Sequence, residues 1–184
     1  MMKKILTCLL ALCLLFGCCA CAAKEPIIDD RLPCDVTYKD KTIRFYKVYA
    51  LDFPTDDLYN TYFIMEIDGE NLTEKELTRL IEKDLEMKLV FGEGENEKEL
   101  KYRNSMIKKQ HYYACFTIEP EDATTESHLG WPVSASITVE RQTYMYNFKL
   151  DSQTCCFWGT CLPKELTQLM LDGMEIAKAE KAEA

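Results

Sequence analysis

Apolar and polar residues alternate with a period of two over most of the chain between residues 34 and 151. This period is typical of β-strands that bury one face, because successive side chains point to opposite sides of a sheet. The clearest case is the segment 133–150, where two matched apolar faces flank a tight turn around Arg141 and Gln142 and predict a β-hairpin. The other alternating segments lie at 42–45, 63–67, 85–91, 100–102 and 112–118. Together they predict about eight strands.

The alternation changes phase between Phe45 and Leu51. Ile43 and Phe45 belong to one phase, whereas Val48 and Ala50 belong to the other. An extra residue in one strand of an antiparallel pair produces such a shift, and so does a strand buried on both faces. We therefore expect a bend in this strand.

Residues 73–81 follow the helical period instead. Thr73 with Glu76 three residues later is a capping-box pattern, and Leu77, Leu80 and Ile81 then form one apolar face. The pattern predicts a short helix that crosses between strands.

A second helix is predicted to begin at Pro163, because proline is favoured at the first helical position. Its apolar stripe consists of Leu166, Leu169, Met170, Gly173, Met174 and Ala177. The tail 177–184 has lost this stripe, and we expect it to fray.

These elements predict a mainly β fold, an antiparallel two-sheet immunoglobulin-like sandwich with a short crossing helix and a C-terminal helix. Residues 34–151 would form the sandwich, and residues 152–184 would form a cysteine-rich loop and the C-terminal helix. Residues 18–33 would be a lipid-anchored spacer behind a signal peptide at residues 1–17.

The N-terminal segment has the build of an export signal. Two lysines precede an apolar run at 5–16, which is too short to cross a ~30 Å hydrocarbon core. Residues 15–18 (Leu-Phe-Gly-Cys) resemble a lipobox, whose cysteine thiolate takes a diacylglyceryl group, so Cys18 is the predicted lipidation site. Cys21, preceded by Ala20, is the alternative site, and an ordinary secretory signal is the alternative to a lipobox.

The charge of the chain restricts its partners. The formal net charge is −9, and residues 1–17 hold two lysines and no acid, so the remainder carries 20 basic against 31 acidic residues. Such a surface repels nucleic acid and anionic headgroups. We expect the protein on the extracytoplasmic face of the cell membrane, attached by its N-terminal lipid, with no nucleic-acid partner. The sequence holds no glycine-rich phosphate loop and no paired zinc-ligand spacing, so we expect no cofactor and no metal.

The segment 63–73 (Phe-Ile-Met-Glu-Ile-Asp-Gly-Glu-Asn-Leu-Thr) passes from a strand through an acidic turn to a capped helix. With the lipobox, it resembles small uncharacterised bacterial lipoproteins that carry one immunoglobulin-like sandwich. The resemblance covers about two thirds of the chain and rests on loose patterns. It implies the fold and carries no assigned activity.

The ten cysteines divide equally between the leader and the domain. Disulfides are permitted in an exported protein, so Cys156 and Cys161 could close a small loop, or a cysteine of the cluster 155–161 could bridge to Cys34. Unbridged packing and redox or metal chemistry are the alternatives for this cluster, whose members are Cys155, Cys156 and Cys161. Cys115 lies in an alternating strand and is expected to be a small buried hydrophobe.

The segment 119–132 is the longest stretch of the sandwich without a periodic face. Loops of this length between strands often carry binding, and Trp131 is an anchor residue of the type favoured in interfaces. Trp131 and His128 are therefore the candidate partner-binding residues, although Trp131 could equally plug one end of the core. Loop histidines are usually solvated, and we expect this of His128.

An exposed aromatic face for carbohydrate is a second candidate surface. It would consist of Tyr59, Tyr62, Tyr113 and Tyr146, although tyrosines in a β domain mostly pack on neighbouring strands. No catalytic residue stands out, because paired carboxylates cannot be distinguished in an acidic chain.

The sequence therefore predicts a non-enzymatic binding or envelope-interaction module whose partner is a surface or envelope protein. The alternatives are a cell-envelope enzyme that uses the Cys155/Cys156 cluster or an unrecognised carboxylate pair, and a carbohydrate-binding module.

Overall fold

A computed structural model of the chain describes residues 24–29, 31–55, 57–151 and 162–183, which hold ten β-strands and two α-helices. The strands are β1 (Ile27–Asp29), β2 (Cys34–Tyr38), β3 (Lys41–Thr55), β4 (Leu58–Asp68), β5 (Leu85–Phe91), β6 (Lys98–Glu99), β7 (Lys101–Lys108), β8 (His111–Thr117), β9 (Pro132–Val139) and β10 (Gln142–Lys149). The helices are α1 (Glu74–Arg79), which continues into a π-helical turn at Leu80–Asp84, and α2 (Lys164–Glu183). Short 3₁₀ turns lie at Gly94–Asn96 and Pro120–Asp122.

The strands form two five-stranded sheets. Sheet I has the order β1-β10-β9-β5-β6, and sheet II has the order β2-β3-β4-β8-β7. The neighbours β3-β4-β8-β7 and β10-β9-β5-β6 correspond to the A-B-E-D and G-F-C-C′ strands of an immunoglobulin domain. The predicted immunoglobulin-like sandwich is therefore confirmed, and α1 makes the predicted crossing from sheet II to sheet I between β4 and β5.

The predicted bend in β3 is a β-bulge. The β3–β4 register shifts between Phe45 and Lys47, so one strand gains a residue that has no partner. After the shift, Val48 and Ala50 face the same core as Phe45. The phase change in the sequence is thereby explained.

The predicted hairpin is formed by β9 and β10, which pair from Gln142 opposite Val139 onward. Its turn residues are Glu140 and Arg141, with φ angles of 49° and 69°. Two successive left-handed residues match the right-handed twist of the flanking strands. The turn lies one residue earlier than the sequence predicted.

The predicted spacer contributes a strand to the sandwich. Ile27 and Ile28 of β1 pair in parallel with Tyr144 and Met145 of β10. A strand of three residues is too short to show alternation, which is why the sequence predicted only a spacer here.

Two apolar clusters hold the layers together. The larger one fills the space between the sheets and includes Phe45, Phe63, Phe91 and Ile137. The smaller one lies between the outer face of sheet II and α2. It consists of Leu51, Tyr62, Ile64, Cys115, Leu162, Leu166, Leu169, Met170 and Met174.

Helix α2 lies close against sheet II at Gly173. A Cβ atom at this position would lie 3.1 Å from Cys115 Sγ and 3.2 Å from Asn104 Oδ1. The glycine therefore permits the close approach of the helix. Within the described part of the chain, no helix combines the length and the apolar character needed to cross a membrane.

The expectation that the tail of α2 frays is wrong, because the helix continues to Glu183. Arg103 of β7 has a fully buried side chain that donates to Glu180 Oε2 at 2.5 Å and to Glu119 Oε2 at 2.9 Å. Its Nε donates to Thr117 at 2.7 Å. A buried guanidinium requires such acceptors, so it holds the last turns of the helix on the sheet.

The chain enters the sandwich at one end, and the loop 119–132 lies at the other. Ile27 at the start of β1 pairs with Tyr144 near the start of β10, and the carbonyl of Glu25 accepts a hydrogen bond from Gln142 Nε2 at 2.8 Å. We call this the proximal end. The loop 119–132 leads into the start of β9 at the distal end, and the eight-residue length of β9 places the two ends about 25 Å apart.

Candidate functional site: a loop held by a buried Asp–His pair

The loop 119–132 crosses from β8 in sheet II to β9 in sheet I. Backbone hydrogen bonds join Tyr59 and Thr124 at 2.6 and 3.4 Å, which attaches the middle of the loop to β4. Gly130 has a φ of 89°, and its N–H donates to Leu150 at 2.7 Å. The loop is thus fixed to both sheets by backbone contacts.

Asp52 of β3 is the centre of a polar network below the loop and is fully buried. Its Oδ1 accepts from Thr61 Oγ1 at 2.9 Å and lies 3.0 Å from His128 Nδ1. Its Oδ2 accepts from Ser127 Oγ at 2.6 Å and from the backbone N–H of His128 at 3.0 Å. Because a buried carboxylate needs several donors, Asp52 explains the conformation of the loop residues above it.

His128 is buried, with 1% of its surface exposed. Its ring packs against Phe91 at 5.2 Å and against Trp131 at 4.9 Å, edge to face in both cases. The expectation of a solvated loop histidine is therefore wrong, because the ring fills the distal end of the core. His128 cannot offer its ring to a partner in this conformation, and its predicted contact role is corrected to an internal one.

The hydrogen bonds of the network also determine the charge of Asp52. Burial acts to raise the pKa of Asp52, but hydrogen bonds from His128, Ser127 and Thr61 outweigh it and hold that pKa below its usual value. Asp52 is thus ionised and acts only as an acceptor, so His128 Nδ1–H donates to it.

The second ring nitrogen of His128 also has a hydroxyl partner. Its Nε2 lies 2.9 Å from Thr124 Oγ1, which in turn donates to the carbonyl of Glu126 at 2.7 Å. Both ring nitrogens are thus within hydrogen-bond distance of protein groups.

The order Thr124, His128, Asp52 has the distances of a nucleophile, a base and an orienting carboxylate. Asp52 and His128 are buried, and Thr124 Oγ1 donates to the carbonyl of Glu126 at 2.7 Å. The arrangement acts as a clamp that attaches the loop to β3 and β4. Removing one partner of such a buried pair costs about 3–5 kcal/mol.

Trp131 closes the distal end of the core and is half-buried. Its ring stacks on Phe91 with centroids 5.2 Å apart. It also borders a cavity of about 230 Å³, together with Thr124, His128 and Lys98. Leu129, on the same loop, is 41% exposed. The structure thus brings the two predicted residues, Trp131 and His128, into contact. Trp131 lies partly inside the core, and Leu129 is the exposed apolar side chain of the loop.

The cysteines of the domain divide into two groups. Cys34 and Cys115 are buried free thiols. Desolvation raises the pKa of Cys34 to about 11 and that of Cys115 to about 12. The expectation for Cys115 is therefore confirmed, whereas the predicted bridge from Cys34 finds no support. Cys18, Cys21, Cys155, Cys156 and Cys161 lie outside the described residues.

The four tyrosines of the predicted aromatic face do not share one surface. Tyr62 is buried beneath α2, and Tyr113 packs against the same cluster. Tyr146 belongs to sheet I and packs on the inter-sheet core beside Phe148, with ring centroids 5.1 Å apart. A flat row of exposed rings, which a carbohydrate platform needs, is not formed by these residues.

The sequence reasoning missed Asp52 and Thr61. Asp52 continues the inward phase of Val48 and Ala50, and Thr61 precedes Phe63 in the inward phase of β4. A carboxylate at an inward position was the available signal, since such a group requires buried partners. Its partner could not be found by periodicity, because His128 lies in a loop.

Comparison of the chain with known proteins finds no relative, because no protein-family model, no curated protein and no solved structure matches it.

Proposed function

We propose that this protein is a lipid-anchored, extracytoplasmic binding module without enzymatic activity, related to the small bacterial lipoproteins that its leader and strand pattern resemble. It binds a protein of the cell envelope or cell surface through the distal loop 119–132. The lipid is carried by Cys18, or by Cys21 if cleavage occurs at the second site.

The observation that carries this proposal is the position of the loop relative to the N terminus. Residue 24 and β1 lie at the proximal end, and the loop 119–132 lies about 25 Å away at the distal end. A sandwich tethered by its N terminus therefore presents this loop away from the membrane, where a partner can reach it.

The rigidity of the loop also favours binding. The Asp52–His128 pair fixes the backbone around Leu129, so little conformational freedom is left to lose on association. A preformed contact surface binds more tightly than a flexible one for this reason.

The chemistry of the loop indicates the kind of partner. Leu129 is an exposed apolar side chain, and the segment 119–132 has four acidic residues and no lysine or arginine. Glu119 and Asp122 are paired with Arg103 and Lys98, which leaves Glu121 and Glu126 as the acids of the rim. The complementary surface is an apolar hollow with a basic edge.

Site-specific photocrosslinking tests the proposal. A photoreactive residue replaces Leu129 in the full chain, expressed in its own membranes. The matched control replaces Leu171 on α2, which is 46% exposed. We expect a discrete crosslinked protein from position 129 that is absent from position 171. Equal products at both positions, or none at position 129, would contradict the assignment of the loop.

The anchor is tested by intact-mass analysis of the protein extracted from those membranes, before and after deacylation. We expect a chain that begins at Cys18 or Cys21 and carries acyl mass. A chain cleaved elsewhere without acyl mass would overturn the anchoring and leave the loop assignment to the crosslinking result.

A further inference from the structure

A second polar cluster lies at the proximal end, on the outer face of sheet II. β4 ends there, because Asp68 pairs with Arg44 near the start of β3, and the turn residue Lys39 donates from its backbone to Glu140 at 3.1 Å. Asp68 lies directly opposite His111 in the β4–β8 register. The face continues the rows that α2 covers, and the first turn of α2, with Glu165 and Leu166, borders a cavity beside the cluster.

Three of these side chains converge. Asp68, Glu70 and His111 each offer one ligand atom, and these atoms lie within 4.8 Å of one another. His111 Nε2 is 3.7 Å from Glu70 Oε1. A tetrahedral Zn²⁺ with ligand distances near 2.0–2.1 Å holds its ligand atoms roughly 3.4 Å apart. The Glu70 side chain is 70% exposed and can close the remaining distance by a rotamer change.

The imidazole is oriented for this role by a buried carboxylate. Glu66 is 3% exposed, and its Oε1 lies 2.8 Å from His111 Nδ1. Its Oε2 accepts from Tyr49 Oη at 2.8 Å. The Glu66 carboxylate accepts the Nδ1 proton, so in the neutral ring the lone pair is on Nε2, which lies 3.7 Å from Glu70 Oε1. A carboxylate behind a histidine in this way is the usual support of a metal-ligating imidazole.

Charge and space favour a cation at the same point. Glu66, Asp68 and Glu70 contribute three carboxylates, and Arg44 approaches Asp68 only to 3.8 Å while its Nε donates to Asp35. A cavity of about 250 Å³ opens beside the donors, and Glu70 and His111 line it together with Lys109 and with Lys108, whose charge is paired with Glu165. An ion held by three protein ligands would keep its fourth position toward this cavity.

We propose that Asp68, Glu70 and His111 bind a divalent metal ion of the zinc class, with Glu66 as the positioning residue behind His111. One imidazole nitrogen with two carboxylate oxygens suits Zn²⁺ better than Ca²⁺, which takes six to eight oxygen ligands. This site goes beyond the sequence expectation that the protein has no metal. It is independent of the proposed function, since Leu129 lies at the opposite end of the sandwich.

The small number of histidines in the chain allows a direct test. His111 and His128 are its only histidines, so imidazole NMR spectra of the untagged full chain in detergent report both sites at once. Accessible thiols are alkylated beforehand, so that cysteines do not bind the metal. On titration with ZnSO₄, we expect the His111 resonances to shift until one Zn²⁺ is bound, while those of His128 stay unchanged. No shift of His111, or an equal response to CaCl₂, would overturn the proposal.

Substitutions assign the ligands. Glu70→Gln alters an exposed side chain and is expected to weaken Zn²⁺ binding at least tenfold in calorimetry, with an unchanged circular dichroism spectrum. The matched control is Glu165→Gln, which borders the same cavity but is paired with Lys108. It should bind Zn²⁺ as the unaltered protein does. Equal affinities for Glu70→Gln and the unaltered protein would refute the ligand set.

The positioning role of Glu66 has its own readout. Glu66→Gln should weaken Zn²⁺ binding by about 10–100-fold and move the Nδ1 resonance of His111 even without metal. Crosslinking at position 129 should be the same in Glu70→Gln as in the unaltered protein. The failure of the metal site and the failure of the binding loop are thus distinguishable.

Discussion

The two histidines show opposite uses of the same side-chain chemistry at the two ends of the sandwich. His128 at the distal end is 1% exposed, and both of its ring nitrogens contact protein groups. His111 at the proximal end has an 18% exposed side chain, its Nε2 lies 3.7 Å from Glu70 Oε1, and Asp68 belongs to the same group of candidate ligands. The network around His128 occupies both ring nitrogens and fixes the backbone, whereas the network around His111 leaves the Nε2 lone pair available for a ligand.

The difference follows from the surroundings of the two rings. The Asp52 carboxylate and the hydroxyls of Thr61 and Thr124 contact the ring nitrogens of His128, and Phe91 and Trp131 pack against its ring. Around His111 only the Nδ1 side is completed by a buried group, Glu66. A histidine near a carboxylate is thus a structural clamp or a ligand site according to what its second nitrogen meets.

The largest effect on stability is expected at His128, whose ring nitrogens are both in contact with protein groups. His128→Ala removes the ring from the shell of the buried Asp52 carboxylate and opens a cavity beside Phe91 and Trp131, so we expect a loss of about 3–5 kcal/mol in the free energy of unfolding. Urea denaturation followed by circular dichroism measures it. A loss below about 1 kcal/mol would show that the network does not fix the loop.

Low pH should destabilise the protein through Asp52, the partner of His128. The pKa of Asp52 lies below its usual value of 3.8 in the folded protein, so the carboxylate contributes stability that is fully present above the unfolded pKa. This contribution is lost as the pH falls through the unfolded value toward the folded one. Asp52→Asn should therefore flatten the fall of unfolding free energy between pH 5 and pH 2, as urea titrations at each pH will show.

The control for this acid effect is Asp35→Asn, whose side chain is 73% exposed. It should retain the pH dependence of the unaltered protein. An equally steep curve for Asp52→Asn would mean that the buried pair does not contribute to acid sensitivity.

Substitution of His111 should change the free energy of unfolding less than substitution of His128. We expect His111→Ala to cost about 1–2 kcal/mol in the absence of metal, because Glu66 keeps its bond from Tyr49. Added Zn²⁺ should raise the midpoint of thermal unfolding of the unaltered protein and not that of the variant. A cost equal to that of His128→Ala would remove the distinction between the two sites.

The smallest effect on stability is expected at the surface of the loop. Leu129→Ser changes an exposed side chain and should alter the free energy of unfolding by less than about 0.5 kcal/mol. We expect it to weaken partner capture at the distal end all the same, measured by crosslinking from a neighbouring loop position. Unchanged capture would exclude Leu129 as a contact residue.

Local patterns predicted most of the fold. The hairpin of β9 and β10 and the bulge after Phe45 follow directly from alternation and its phase, and the capping box at Thr73 and Glu76 is present as expected. The extent of α2 was not predictable, because Arg103 holds Glu180 from a distance of 77 residues in the sequence.

The candidate sites were less accessible to sequence reasoning. Asp52 and His128 lie 76 residues apart, and Glu66 and His111 lie 45 apart. Their pairing depends on strand order and register, which alternation alone does not specify. Asp68 and Glu70 were visible only as part of an acidic turn until β8 brought His111 beside them.

The parallel pairing of β1 with β10 has a mechanical consequence. If a partner pulls on the distal loop while the N terminus is tethered, tension enters the domain along β1. The hydrogen bonds that join Ile27, Ile28 and Asp29 to β10 are then loaded together in shear, instead of being opened one after another as in a peeled hairpin. The short strand would thus resist extraction along its own axis and give way when the direction of pull is turned across the sheet.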